Sequence, residues 1–91
     1  SIGYADGIPR SLSNKNMQVK INQSYANVIG RICMDQLLID ISDIPNVKVS
    51  DIITIIGEDK NITAEQVADK ADTITNELLC RLGDRLARII V

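Results

Sequence analysis

Within six residues, Arg31-Ile32-Cys33-Met34-Asp35-Gln36 gathers a cation, a thiol, a thioether, a carboxylate and an amide. A packed strand has no use for that mixture; a strand end that offers backbone and side chains to a ligand does. Val28, Ile29 and Ile32 read as strand before this junction, and Leu37, Ile39 and Ile41 alternate after it. A second group opens the chain, with Tyr4 between Gly3 and Gly7 and Arg10 just beyond. The tyrosine can exchange a proton, contact a ligand, or simply cap a core. Arg10 and Arg31 can clamp a carboxylate or phosphate, or be solvated surface residues. Cys33 has no His or Lys near it in sequence to lower its pKa, so it is expected to be a buried, inert thiol.

These groups need a scaffold, and 91 residues allow one small domain with a single modest core. The apolar content is aliphatic, with sixteen Ile, seven Leu and six Val against two Tyr and neither Phe nor Trp. That β-branched bias favours sheet over helix. A net charge of −2 provides no basic field for nucleic acid, and two Tyr are too few for a base-stacking platform. With no His and no CxxC, zinc-finger spacings and His-based triads are excluded, and no metal site is expected. Cys33 and Cys80 could form one disulfide, or remain thiols in a reducing compartment. No run is long enough to span a membrane as a helix, and no signal-peptide pattern opens the sequence. Both ends have the look of cuts from something larger.

Taken in order, Asp6-Gly7 marks a turn and Pro9 bars a central strand. Strands are expected at Met17 to Asn22 and Tyr25 to Ile32, joined by a turn at Asn22-Gln23-Ser24, and at Leu37 to Ser42. The apolar run Asp51 to Gly57 reads as a strand buried on both faces, followed by a charged turn at Glu58 to Asn61. Thr63-Ala64-Glu65-Gln66 is a capping-box pattern that starts a helix ending near Ala71, with Val67 and Ala68 on its buried side. A second helix is expected from Thr75, with Leu78, Leu79 and Leu82 as its apolar stripe and Gly83 as a left-handed stop. Leu86 to Val91 is a strand candidate, and Lys15, Lys20, Lys48, Lys60 and Lys70 read as solubilising residues. The expected class is mainly β, a small curled sheet or barrel-like domain with two short helices. On these grounds alone it is as well suited to a binding module as to a piece of an enzyme.

Two segments carry a resemblance. Ile2-Gly3-Tyr4-Ala5-Asp6-Gly7-Ile8-Pro9-Arg10 and Gly30-Arg31-Ile32-Cys33-Met34-Asp35-Gln36 resemble the two signature stretches of the C-terminal domain of bacterial alanine racemases. Thr73-Ile74-Thr75-Asn76-Glu77, with Cys80 following, fits the same pattern, so the likeness runs over essentially all of residues 1–91. It implies a pyridoxal 5'-phosphate enzyme with an N-terminal β/α barrel, acting on a small amino acid as a head-to-tail homodimer. The cofactor lysine and the tyrosine base of that family lie upstream, so no catalytic residue is expected in this chain and the fragment alone is expected to be inactive. The resemblance assigns Met34 to the substrate carboxylate through its backbone N–H. It assigns Tyr4, Arg10, Arg31 and Ile74 to the entryway, and Asp35 to support of the junction through one of these arginines.

The departure is Asn76, where alanine racemases typically carry tyrosine. A shorter residue whose amide both donates and accepts opens space for a substrate hydroxyl and offers it a partner. In this respect the chain is similar to the serine racemases associated with vancomycin resistance, which supply D-serine for peptidoglycan precursors. Those proteins carry the racemase unit behind a membrane-embedded region, so the resemblance implies a cytoplasmic domain whose parent can be anchored upstream. An ordinary alanine racemase domain, and a non-catalytic regulatory module of the same fold, remain the alternatives.

Overall fold

The computed structural model describes residues 2–89. Its centre is a hairpin whose strands alternate as their sequences do. Strand β1 (Gln18–Ile21) buries Val19 and Ile21, and β2 (Ser24–Ile29) buries Ala26 and Val28. They pair antiparallel from Gln18 opposite Asn27 to Ile21 opposite Ser24. That register leaves only Asn22 and Gln23 for the turn, with φ of 49° and 68°. Two positive φ values give the turn the twist that a tight hairpin requires.

The sheet has four strands in the order β3-β2-β1-β4, all antiparallel, and curls as a half-barrel. Strand β3 (Leu38–Ile39) lies beside β2, and β4 (Ile53–Thr54) lies beside β1. Helix α1 (Ala64–Lys70) starts where the capping pattern places it, with the Thr63 hydroxyl accepting from Gln66 N–H at 3.2 Å. Val67 and Ala68 are buried, as its periodicity requires. Helix α2 (Thr75–Cys80) follows and packs Leu78 inward at 1 % exposure. Sheet and helices close one core around Leu12, Met17, Val19, Ile32, Val67 and Leu78.

The departures from the sequence reading lie mostly in the second half. The run over residues 51–57 pairs only at Ile53–Thr54, and it is not buried on both faces: Ile52 is 85 % exposed and Ile53 40 %. An unbroken apolar run gives no information about which face has a neighbour, and here Ile53 and Ile55 line an open groove with Ile2 and Leu37. Residues 86–89 form no strand, and Ile90 and Val91 lie outside the described residues. Gly83 is not left-handed, since Gly7 and Gly30 are the described glycines with positive φ; α2 ends at Arg81, whose N–H reaches the Glu77 and Leu79 carbonyls. Leu79 is exposed rather than part of a buried stripe. Two lysines do more than solubilise: Lys20 pairs with Asp59 at 2.7 Å, and Lys70 donates to the Asn16 carbonyl at 2.9 Å.

Leu12 has no exposed surface and stands at the centre of the core. Leu12→Ala is therefore expected to cost about 3 kcal/mol, the usual loss for a buried leucine whose cavity cannot collapse. Denaturant titration of the full-length protein measures it, and a loss below ~1 kcal/mol would contradict the packing described.

Candidate functional site

The polar junction of the sequence is the loop between β2 and β3. Val28 pairs with Ile39 and Ile29 with Leu38, so the sheet holds both roots of the loop. Ile32 pins its middle at 1 % exposure, with its N–H donating to the Ser13 hydroxyl at 2.9 Å. The tip is closed by the Cys33 N–H, which donates to the Gln36 carbonyl at 2.9 Å. Met34 and Asp35 thereby sit at the outside of a tight turn, and Met34 is 53 % exposed. Among the described residues the Met34 N–H donates to no hydrogen-bond partner, while its carbonyl accepts from Ala5 N–H at 3.0 Å.

That last bond brings the two signature segments together. Tyr4 N–H donates to the Cys33 carbonyl at 2.9 Å, so the first 3-10 turn (Tyr4–Asp6) lies directly against the tip. Gly3 permits the approach: a Cβ there would stand 2.1 Å from the Cys33 oxygen and 2.5 Å from the Met34 oxygen, closer than any side chain tolerates. Gly7 serves the other side of the same turn. Its φ of 103° suits glycine, and a Cβ would lie 2.3 Å from the Arg81 carbonyl oxygen.

Tyr4 is 41 % exposed and lines a cleft of about 430 Å³ with Pro9, Arg10 and Arg81. Arg10 also borders the adjoining cleft, of about 380 Å³, with Ser11, Ser13, Asn14 and Arg31. Tyr4, Arg10 and Arg31, which the resemblance assigns to an entryway, thus line two clefts that share Arg10, and Met34 is bonded through its carbonyl to Ala5, the residue after Tyr4. Ile74 and Asn76 are exposed at the N-terminal end of α2, and neither lines these two clefts.

Two sequence expectations change here, the burial of Cys33 and the partner of Asp35, and the cysteine alternative is decided. Cys33 is exposed, not buried, because its turn points it out of the core; its thiol reaches only the Arg31 carbonyl, at 3.7 Å. Cys33 and Cys80 are both free thiols. Asp35 pairs with neither Arg10 nor Arg31 but with Arg85, at 2.7 Å from guanidinium Nη2. The same guanidinium holds the Asp6 carboxylate bidentately, Nε to Oδ1 at 2.8 Å and Nη2 to Oδ2 at 2.9 Å. Asp6 is 2 % exposed and also accepts from Gly3 N–H at 3.2 Å. Sequence reading took Asp6 for a turn residue and passed over Arg85 and Arg81. The one available signal was an acidic residue inside a signature segment, since a partner 79 positions away leaves no local trace.

The Arg85 hydrogen bonds hold the Asp6 carboxyl below its ordinary value, with Gly3 N–H adding to the effect against the opposing pull of burial. Asp6 and Asp35 in turn raise Arg85. None of the residues lining the two clefts is a lysine, so this surface offers no group to bind a carbonyl cofactor covalently. What it offers is a phenol and guanidinium groups, with the Met34 N–H on the neighbouring turn, a set suited to an anionic carboxylate.

Comparison with known proteins shows the family and the fold. The family described as "Alanine racemase, C-terminal domain" matches residues 1–90. The chain belongs to that family. It is 55 % identical to an "Amino-acid racemase" of Enterococcus faecalis, covering 93 % of this chain and 12 % of that protein. It is 49 % identical to "Alanine racemase 1" of Clostridium acetobutylicum, covering 99 % and 24 %. Among solved structures, the alanine racemase of Bartonella henselae with covalently bound pyridoxal phosphate superposes with a TM-score of 0.90 at 38 % identity, over 100 % of this chain and 26 % of that one. The Clostridium difficile enzyme in complex with cycloserine gives a TM-score of 0.84 at 41 % identity, over 93 % and 22 %. The chain therefore spans a quarter or less of the curated relatives it matches.

Because the folded pKa of Asp6 is depressed, its contribution to stability is complete above the unfolded value near 3.8 and is lost as pH falls through the folded value. Asp6→Asn is expected to lower the melting temperature at pH 6 and to flatten the acid limb below about pH 4. Melting curves across that range check this, and an acid limb as steep as that of the parent would contradict it.

Proposed function

We propose that this domain belongs to a pyridoxal-phosphate-dependent racemase that interconverts the enantiomers of serine as well as alanine, and that it supplies the substrate-recognition side of the active site. The bound cofactor would supply the electron sink that makes the α-proton of an amino acid removable. This chain's own residues would bind and orient. The Met34 N–H, at a closed turn and without a partner among the described residues, would receive the substrate carboxylate, with no side chain to order on binding. Arg10 and Arg31 would steer the carboxylate along the corridor past Tyr4. The lysine that carries the cofactor and the tyrosine that exchanges the second proton would come from the barrel, with the site completed across a homodimer. Product of this kind would feed D-serine or D-alanine into peptidoglycan precursors.

The observation that carries the serine reading is Asn76, exposed in the first turn of α2 with Ile74 before it. An amide at a position where the family typically has a phenol ring leaves room for a hydroxymethyl side chain and hydrogen-bonds it. The high identity to a relative named "Amino-acid racemase" rather than alanine racemase supports the same reading. The second reading, an enzyme confined to alanine, is favoured by the alanine racemase names of many other relatives.

In the full-length protein Asn76→Tyr is expected to lower the serine-to-alanine ratio of kcat/KM by roughly tenfold or more, the scale on which a lost hydroxyl partner and a filled pocket discriminate. Steady-state racemisation of both amino acids measures it. An unchanged ratio would remove the argument from residue 76.

A further inference from the structure

We propose that Arg85 is a positioning residue for carboxylate recognition: by clasping Asp6 and Asp35 together, it fixes the Met34–Asp35 turn against the Tyr4 segment. The inference rests on the reading that the Met34 N–H meets the substrate carboxylate. Three observations carry it. The guanidinium uses Nε and Nη2 on the buried Asp6, and the same Nη2 reaches Asp35 at the exposed tip. Asp6 is itself locked to the base of the signature segment through Gly3 N–H and, at its carbonyl, through Gly83 N–H at 3.0 Å. The residues flanking the clasp also make the direct backbone bonds, from Tyr4 to Cys33 and from Ala5 to Met34.

The arm to Asp35 is where function and mere stability part. Both partners are more than half exposed, at 55 % and 54 % of their side-chain surface. An ion pair so open to water adds little to folding. It does set the direction of the turn residue adjacent to the free Met34 donor. Lysine cannot replace it, because a single ammonium lacks the planar fork that spans two carboxylates.

The test uses the full-length racemase with cofactor bound, in the variants Asp35→Ala, Arg85→Lys and Met34→Pro. Asp35→Ala leaves the buried Asp6 paired and so preserves the fold if Arg85→Lys does not. For Asp35→Ala and Arg85→Lys, KM for the amino acid is expected to rise about tenfold while kcat changes less than about threefold, as expected for lost ground-state and transition-state binding alike. Amide hydrogen exchange over residues 33–36 is expected to quicken, with cofactor absorbance and circular dichroism as in the parent. Unchanged exchange in both variants would overturn the clasp. Met34→Pro, which removes the donor, separates the two layers. A raised KM there with none in the other variants overturns the role of Arg85 alone; an unaltered KM in Met34→Pro overturns the carboxylate reading beneath it, and the proposal with it.

Discussion

A carboxylate removed from water must be paired, and Asp6 is paired by a residue almost the whole chain away. That requirement organises the molecule. Asp6 sits in the turn that carries Tyr4, and Arg85 sits in the segment after α2. Asp35 sits at the tip of the loop between β2 and β3. One guanidinium therefore joins three pieces of chain that the sheet alone would leave independent. A protonated or neutral substitute at position 6 would pack, but it could not hold the fork, and the loop tip would lose its reference point. Taking Arg85 away would leave a buried charge with a single backbone donor, a worse state than never having had the pair.

Much of the fold is legible where local chemistry and tertiary packing agree. The alternation in β1 and the Thr63 cap follow from rules that operate over a few residues, and so does a turn after Ile21, although Ser24 pairs with Ile21 and the turn is Asn22 and Gln23 alone. Motif likeness assigns Tyr4 and Met34 separate roles without placing them side by side; the backbone bonds between the two segments bring them together. What stayed hidden depends on distant partners. The isoleucines of residues 52–56 look fully buried because hydrophobicity is visible in sequence, whereas the absence of a covering element is not. Gly83 resembles a helix stop, yet it sits against the first turn: a Cβ there would stand 3.3 Å from the Ala5 carbonyl oxygen. Asp35 had two plausible arginines nearby in the motifs and chose a third that no motif marks.

The side chains along the clefts define a division of labour. A phenol and arginines can attract an anion and orient it, and the Met34 N–H on the neighbouring turn, without a partner among the described residues, can hold it. They include no imidazole and no lysine to relay protons at neutral pH or anchor a carbonyl. The proposed carboxylate donor lies on a turn closed by a backbone hydrogen bond, where little conformational entropy is lost when a ligand arrives.

The Asn22–Gln23 hairpin has a kinetic corollary. Its strands are neighbours in sequence, so closing it costs little chain entropy and it can form within microseconds. The Asp6–Arg85 bond closes a loop of nearly the full chain and is rewarded only after sheet and helices are in place. The order of assembly then runs from the middle outward. The Met34–Asp35 turn, though one root of its loop belongs to that hairpin, gains its clasp from the same long-range guanidinium.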